Sequence, residues 1–320
     1  MNTSYIVLDL EWNQGYEKTT KPEMPFEIIE IGAVKLDSER RAVDAFECSI
    51  RPRVYRTLHH MVKKVIRLKM EELRGAEPFP IVMKRFLKWC GRDYIFCTWG
   101  PQDLGELQRN MRYYGMKPLA NGPLAFLDVQ KLFSLDREDG KIRRSLESAV
   151  EMMDIEKGES FHRADSDAGY TAEILRIIGT EALEKHVSYD LFHLPPDRRH
   201  ELKVRFDTYS KYVSREFPDK ADALRDSEAK SLRCFVCNKD TKTALDWFTL
   251  NGRNYLGLGV CKEHGPMRGK LRLRKSDGGK HYVVKTIRPA TREDEKTLKE
   301  QQQKAEQAEK KRELARKAEA

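Results

Sequence analysis

The stretch Tyr5-Ile6-Val7-Leu8-Asp9-Leu10-Glu11-Trp12 reads as a strand rich in aliphatic residues that carries two acids set two apart. Period-2 geometry puts the side chains of Asp9 and Glu11 on one face. Two carboxylates side by side in an otherwise apolar strand are costly unless something positive sits between them. A divalent cation meets that need. The ordinary alternative is an edge strand whose polar face meets solvent.

Outward from this stretch, Glu27 to Leu36 reads as a second strand, Ala42 to Ile50 as a third and Tyr94 to Thr98 as a short buried one. Pro80 to Gly91 has helical spacing, with Met83, Phe86, Leu87 and Cys90 on one stripe. Asp103 to Tyr114, Ser145 to Met153 and Asp165 to Ile178 also read as helices. Strands first and then alternation with helices predict an α/β layer around one mixed sheet, ending near residue 182.

Further acids stand at junctions in this domain. Asp103 follows the short strand and the turn Thr98-Trp99-Gly100-Pro101-Gln102, where an aspartate is commonly an N-cap. His162 and Asp167 stand five apart across a loop-to-helix junction. Taken singly, each has an ordinary structural reading. Their order is more informative: Asp-x-Glu on the first strand, Asp after a strand and Gly turn, then His-x4-Asp opening a late helix. That order resembles the DEDDh exonucleases, a family of 3′–5′ exonucleases that includes RNase T and DnaQ-like enzymes. Glu27-Ile28-Ile29-Glu30-Ile31-Gly32-Ala33-Val34 is similar to the second strand of that family. Thr98-Trp99-Gly100 before Asp103, and Leu104 after it, resemble a narrower branch, the enhanced-RNAi-type and KapD-like sporulation-inhibitor exoribonucleases. Leu127-Asp128-Val129-Gln130 and Ser145-Leu146-Glu147 fall where that branch has similar segments. The Thr-Gly-Ile segment of many members has no equivalent around Val65 to Gly75.

The resemblance implies a ribonuclease-H-like fold and two catalytic Mg²⁺ or Mn²⁺ ions. Asp9 would bridge both ions, Glu11 and Asp167 would complete one, and Asp103 would hold the other largely through water. The family spacing selects Asp167 over Asp165. His162 would be the general base, since an imidazole of pKa near ~6.5 accepts a proton at neutral pH, while Tyr170 packs. Trp12 reads equally as core or as a side chain that stacks on terminal bases.

The cysteines divide three and three. Cys48, Cys90 and Cys97 lie singly in apolar segments. Cys234-x2-Cys237 and Cys261-x2-His264 form two short knuckles around a β-like stretch, matching a structural Cys3His zinc site. A disulfide is the alternative, disfavoured by the reducing compartment expected below. A redox Cys-x-x-Cys lacks the surrounding unit it needs. Phe235, Trp247, Phe248 and Tyr255 accompany the knuckles, some as core and some available for stacking.

Charge follows the same division. The chain has 320 residues, 60 Lys+Arg against 51 Asp+Glu and a net charge of +9. Residues 231–290 alone hold 13 bases and 4 acids, including Arg268, Lys270, Arg272, Arg274 and Lys275. Bases accompanied by aromatic residues point to a nucleic-acid surface. The expected organisation is an exonuclease domain at 1–182, a helical connector at 183–230 with Arg199 to Phe217 helical, a basic β-rich zinc ribbon at 231–290, and a charged tail at 291–320. That tail is expected as a solvated helix or disordered. No apolar run approaches the ~20 residues of a membrane span, and Met1 to Trp12 lacks a basic leader. A cytoplasmic enzyme is expected.

Together these readings give a 3′–5′ exonuclease acting on single-stranded RNA or 3′ overhangs and releasing nucleoside 5′-monophosphates. The alternatives are a DNA exonuclease in repair and a non-catalytic RNA-binding adaptor. The ribbon leaves a ribosome, structured RNA or an RNA-processing protein open as its partner, and the oligomeric state is not legible.

Overall fold

The structure, a computed structural model, describes residues 3–17, 19–66, 69–158 and 161–319, with side chains at all of these except 65, 309 and 312–319. Residues 67 and 68 of the Val65-to-Gly75 segment, and the first two of the Met1-to-Trp12 stretch, lie outside the described residues. The chain forms two compact units, Met1–His193 and Leu194–Ala320.

The first unit runs β1 (Ser4–Gln14), β2 (Phe26–Leu36), β3 (Ala42–Arg51), α1 (His60–Val65), α2 (Met70–Gly75), β4 (Glu77–Pro78), α3 (Phe79–Cys90) and β5 (Tyr94–Thr98). It continues with α4 (Gln102–Tyr113), β6 (Leu124–Asp128), α5 (Val129–Arg137), α6 (Leu146–Met152), α7 (Ala164–Ile177), α8 (Thr180–Lys185) and β7 (Ser188–Asp190). The sheet order is β4-β3-β2-β1-β5-β6-β7. β1 is antiparallel to β2 and parallel to β5. This is the ribonuclease-H-like mixed sheet flanked by helices that the resemblance implies. Alternation along β1 builds two cores. Ile6, Leu8 and Leu10 join Phe86 of α3 and Leu104 and Leu107 of α4 on one side. Val7 joins Val129 and Leu132 of α5 and Ile174 and Leu175 of α7 on the other. Asp9 and Glu11 share the parity of Val7, so they belong to the side on which α7 lies.

The second unit runs β8 (Leu202–Arg205), β9 (Ser210–Val213), α9 (Lys220–Arg225), α10 (Ser227–Lys230), β10 (Lys242–Thr249), β11 (Asn254–Cys261), β12 (Gly265–Lys275), β13 (His281–Pro289) and α11 (Arg292–Glu319). Its sheet has the order β10-β11-β12-β13-β9-β8. Two expectations are corrected here. Arg199 to Phe217 is helical only in a 3-10 turn at Arg198–His200: it contains the β8–β9 hairpin, and β9 pairs with β13 through Val213 and Val284. Nor is 183–230 a separate connector. Ser188–Asp190 adds a strand to the first sheet, and everything from Leu194 belongs to the second unit. Four-residue strands show too few positions for a period to be read, and the partner that fixes β9 lies far downstream.

The new boundary sharpens the charge division. The first unit holds 29 bases and 31 acids, a net of −2; the second holds 31 and 20, a net of +11. The tail also differs from expectation, because its first turns dock. Asp294 accepts from Arg268 at 2.5 Å and from Arg288 at 2.7 Å, and Leu298 is buried where α11 packs on β10 and β11. One leucine and one doubly paired aspartate suffice to anchor an otherwise polar helix.

Candidate active site

Three local devices bring the acids together. The parallel register pairs Val7 with Cys97, so β5 ends beside Asp9. The chain then turns through Gly100, whose φ of 96° lies in the left-handed region, and opens α4 with Asp103 in its first turn. The β1–β2 register slips between Glu11 and Trp12, a bulge that re-aims the strand next to the acids. The third device is the seat of α7, where β2 presents Gly32 opposite Asp9. A Cβ at Gly32 would lie 2.0 Å from the Ala164 carbonyl carbon and 2.2 Å from the Asp165 nitrogen. Only glycine admits α7 so close to the sheet.

The same seat is locked by charge. Glu30, fully buried, accepts from the Arg163 guanidinium at 2.8 Å and from the Ala164 backbone N–H at 3.1 Å. Arg163 also reaches Glu47 at 2.9 Å. Glu30, Gly32 and Arg163 therefore set where α7 begins. Sequence reasoning assigned none of them a role, although an acid in the apolar run Ile28-Ile29-Glu30-Ile31 was a usable signal.

In this setting Asp9, Glu11 and Asp167 each place a carboxylate oxygen within 4.8 Å of the other two. Asp165 lies instead with Glu30 and Glu47 around Arg163. Asp103 is buried and stands outside the three-oxygen group, yet its charge is the largest that Asp9 feels. Burial pushes every member up. Asp9 is held well above the carboxylate range by burial and then by Asp103, Asp167 and Glu11. Burial, followed by Asp167 and Glu30, raises Glu11 to about 8. Asp103 is raised by burial to about 7 against the pull of backbone N–H groups, and Asp167 to about 6 against the His162 N–H. That N–H donates to Asp167 Oδ2 at 3.2 Å, while Asp167 Oδ1 is buried with no hydrogen-bond partner. Crowded oxygen donors, one of them orphaned, fit a hard divalent cation such as Mg²⁺ or Mn²⁺.

His162 has a φ of 68° and an exposed side chain, next to the acids in chain order and open to solvent. Tyr170 is buried and stacks on Phe161 with centroids 4.8 Å apart. Trp12 is half-buried, 5.7 Å from the Phe26 ring, and packs on the β1 core.

In the second unit, Cys234, Cys237, Cys261 and His264 form a second cluster. Cys237 and Cys261 Sγ are 3.8 Å apart, and His264 Nδ1 lies 3.7 Å from Cys234 Sγ and 3.6 Å from Cys261 Sγ. These separations are far too long for a disulfide. They match the edges of a tetrahedron about Zn²⁺, roughly 3.5–3.8 Å for metal–ligand bonds of ~2.0–2.3 Å. The Glu263 N–H, and then His264, bring the Cys261 thiol down to about 6, toward the thiolate a metal requires. Tyr255 and Phe235 are buried. Trp247 lies over Gly257 and Gly269, where a Cβ would come within 3.2 and 2.5 Å of its ring. Those three aromatics are core.

β12 carries Arg268, Lys270, Arg272 and Arg274 at alternating positions on one face, with Lys275 on the other. Arg268 is tied to Asp294, whereas Arg274 and Lys275 are exposed.

The RNase T family pattern, described as exonuclease, matches residues 6–175. No curated protein matches significantly. Among solved structures, the chain is similar to the nuclease domain of 3′hExo, a DEDDh family member bound to rAMP. That match has a TM-score of 0.51 and 18% identity over 59% of this chain and 98% of that one. Another similar structure is E. coli exonuclease I in complex with a dA16 oligonucleotide, with a TM-score of 0.48 and 11% identity over 84% of this chain and 55% of that one.

Proposed function

Since the chain belongs to the RNase T family and is a 3′–5′ exonuclease of the DEDDh type, we propose that it shortens single-stranded RNA or RNA 3′ overhangs in the cytoplasm, releasing nucleoside 5′-monophosphates. The observation that carries this reading is the three-oxygen group that β1 and α7 assemble from Asp9, Glu11 and Asp167. RNA as the substrate rests on the resemblance of Thr98-Trp99-Gly100 and Asp103-Leu104 to the exoribonuclease branch.

Asp9 would bridge two Mg²⁺ or Mn²⁺ ions, Glu11 and Asp167 complete one site, and Asp103 face the other. Such a pair, when bound, supplies positive charge to the attacking and leaving oxygens of a phosphodiester. The protein contributes the rest. Its carboxylates, Asp103 buried and the other three partly so, hold oxygen donors in fixed positions. His162, exposed beside Asp167, takes the proton from the attacking water. The Glu30–Arg163 lock keeps Asp167 in register with β1.

Matched RNA and DNA oligonucleotides with recessed, blunt and overhanging 3′ ends test the proposal. Stepwise shortening of RNA with a free 3′ end, yielding 5′-monophosphates, is the expected result. Preferential loss of DNA favours the repair enzyme, and binding without shortening favours the adaptor.

In the second unit we assign one structural Zn²⁺ to Cys234, Cys237, Cys261 and His264. Four protein ligands close the site, so it holds the fold and leaves no position for substrate. Lys270, Arg272, Arg274 and Lys275 would then meet nucleic-acid phosphates, with Arg268 engaged by Asp294. Cys237→Ser should release the zinc and unfold the second unit, because site formation and folding are linked. Metal analysis should find one zinc per wild-type chain; a wild-type protein free of zinc overturns the assignment.

A further inference from the structure

The first unit is slightly acidic overall, yet four of the six residues lining one of its cavities are arginines. A space of about 340 Å³ lies between the loop that follows β3 and the helix α2, lined by Arg51, Pro52, Arg53, Arg56, Met70 and Arg74. All four arginines are exposed, and Pro52 is buried beneath them. Among the described residues no carboxylate pairs with any of the four guanidinium groups. Glu72 on the same helix is turned to the Lys69 backbone N–H instead. Four exposed guanidinium groups around one cavity make a local excess of positive charge that an anion would offset. Guanidinium groups match phosphate oxygens with forked hydrogen bonds, which makes phosphate the fitting anion.

The cradle is held firmly. Glu27, buried on β2, accepts from the backbone N–H groups of Arg53 at 2.6 Å, Val54 at 2.9 Å and Tyr55 at 2.7 Å. Asn13 donates to the carbonyls of Tyr55 at 3.1 Å and Thr57 at 2.9 Å, and accepts from the His59 N–H at 2.9 Å. Asn13 stands on β1 two residues beyond Glu11. The strand that carries the carboxylates therefore also fixes the arginine loop. Phosphate contacts of this kind position a strand without reading its bases.

We infer that this cavity is a phosphate site that holds the substrate strand at a backbone phosphate upstream of the one being cleaved. The inference rests on the exonuclease reading and extends it. An anionic site alone attracts a polyanion poorly once its metals are absent or neutralised. The cradle supplies the missing attraction within the same unit, independently of the basic second unit.

The test uses full-length protein carrying Asp9→Asn, so that bound strands persist, without chelators that would strip zinc. Binding of fluorescently labelled single-stranded RNA is followed across a salt series. Each neutralised phosphate contact contributes about 0.7 to the slope of log affinity against log salt for single strands. Arg53→Gln/Arg56→Gln/Arg74→Gln should therefore lower that slope by roughly 2 and weaken binding by about 10-fold or more. The single Gln variants should each lower it by about 0.7. The corresponding Lys variants should retain the slope, separating charge from fold, with zinc content equal throughout. An unchanged slope in the Gln variants overturns the site. So does loss of 5′-mononucleotide or inorganic phosphate binding with oligonucleotide binding intact, which would make it a pocket for free phosphate. Failure of the two readings is distinguishable. A wild-type enzyme that binds RNA through the arginines but never shortens it loses the exonuclease reading alone. One that shortens RNA while the arginine variants bind normally loses the cradle alone.

Discussion

Asp9→Asn should reduce exonuclease turnover by roughly 10³-fold or more, while raising the thermal stability of the protein measured without added divalent ions. The rate falls because Asp9 is the proposed common ligand of both ions, and losing even one preorganised charge contact costs ~10²–10³. The stability rises because Asp9 sits among Asp103, Asp167, Glu11 and Glu30, all of which press on it. The pH dependence has a definite sign. Glu11 near 8, Asp103 near 7 and Asp167 near 6 hold protons in the fold that an unfolded chain would release at about 4. In this cluster the native state therefore binds more protons across that window, and the cluster's contribution to stability falls as pH rises from about 4 to 8, while the Cys261 thiol, brought down to about 6, works the other way in the second unit. Carboxylates held low by partners, such as Asp37 and Asp294, finish titrating below it. Unfolding midpoints taken near pH 5 and pH 8, with and without Mg²⁺, would check the idea. Wild type should lose stability at the higher pH and regain it with the ion, and Asp9→Asn should respond less to both. A wild-type midpoint that climbs with pH in metal-free buffer would contradict the reading of the cluster as uncompensated charge.

Gly32→Ala should be nearly as damaging, although Gly32 reaches no substrate. The added carbon meets backbone at 2.0 and 2.2 Å, and backbone cannot swing aside as a side-chain tip can. The start of α7 must move outward by more than an ångström to restore ordinary contact. Asp167, less than one turn further along, moves with it. Displacements of about 1 Å can cost ~10²-fold in rate, and overpacking costs about 1–3 kcal/mol of stability. Gly169→Ala is the control, since that glycine lies on the same helix with nothing within 4 Å of a new Cβ. It should retain activity and gain slightly in stability. Equal behaviour of the two variants would show that the close approach at Gly32 does not place the site.

The first unit was largely legible because its elements announce themselves locally. β1 alternates over enough residues to assign Asp9 and Glu11 to one face, and the long stripe of α3 gives its period away. The order of motifs then brought Asp103, His162 and Asp167 into one proposal. Gly32, Glu30 and Arg163 were missed for a different reason: each matters only through a helix arriving from more than a hundred residues away in sequence. The β8–β9 hairpin was missed because the residues that make it a sheet interior lie in β13. The arginine cradle draws its four members from the end of β3, a loop and α2, so no window of sequence displays it whole.

The two clusters proposed as metal sites use donors of opposite character. Three cysteines and a histidine surround one position, and carboxylate oxygens crowd the other. Zinc at the first would be acquired with the fold. Magnesium or manganese at the second would exchange, because such ions keep several waters when carboxylates hold them. Supply of zinc would then set how many molecules fold, and supply of the second ion how fast each one works. Zinc in excess would cross that division, since it outranks manganese for most donor sets and would enter the oxygen cluster as well. The ion proposed to fold the second unit would then also compete at the carboxylates.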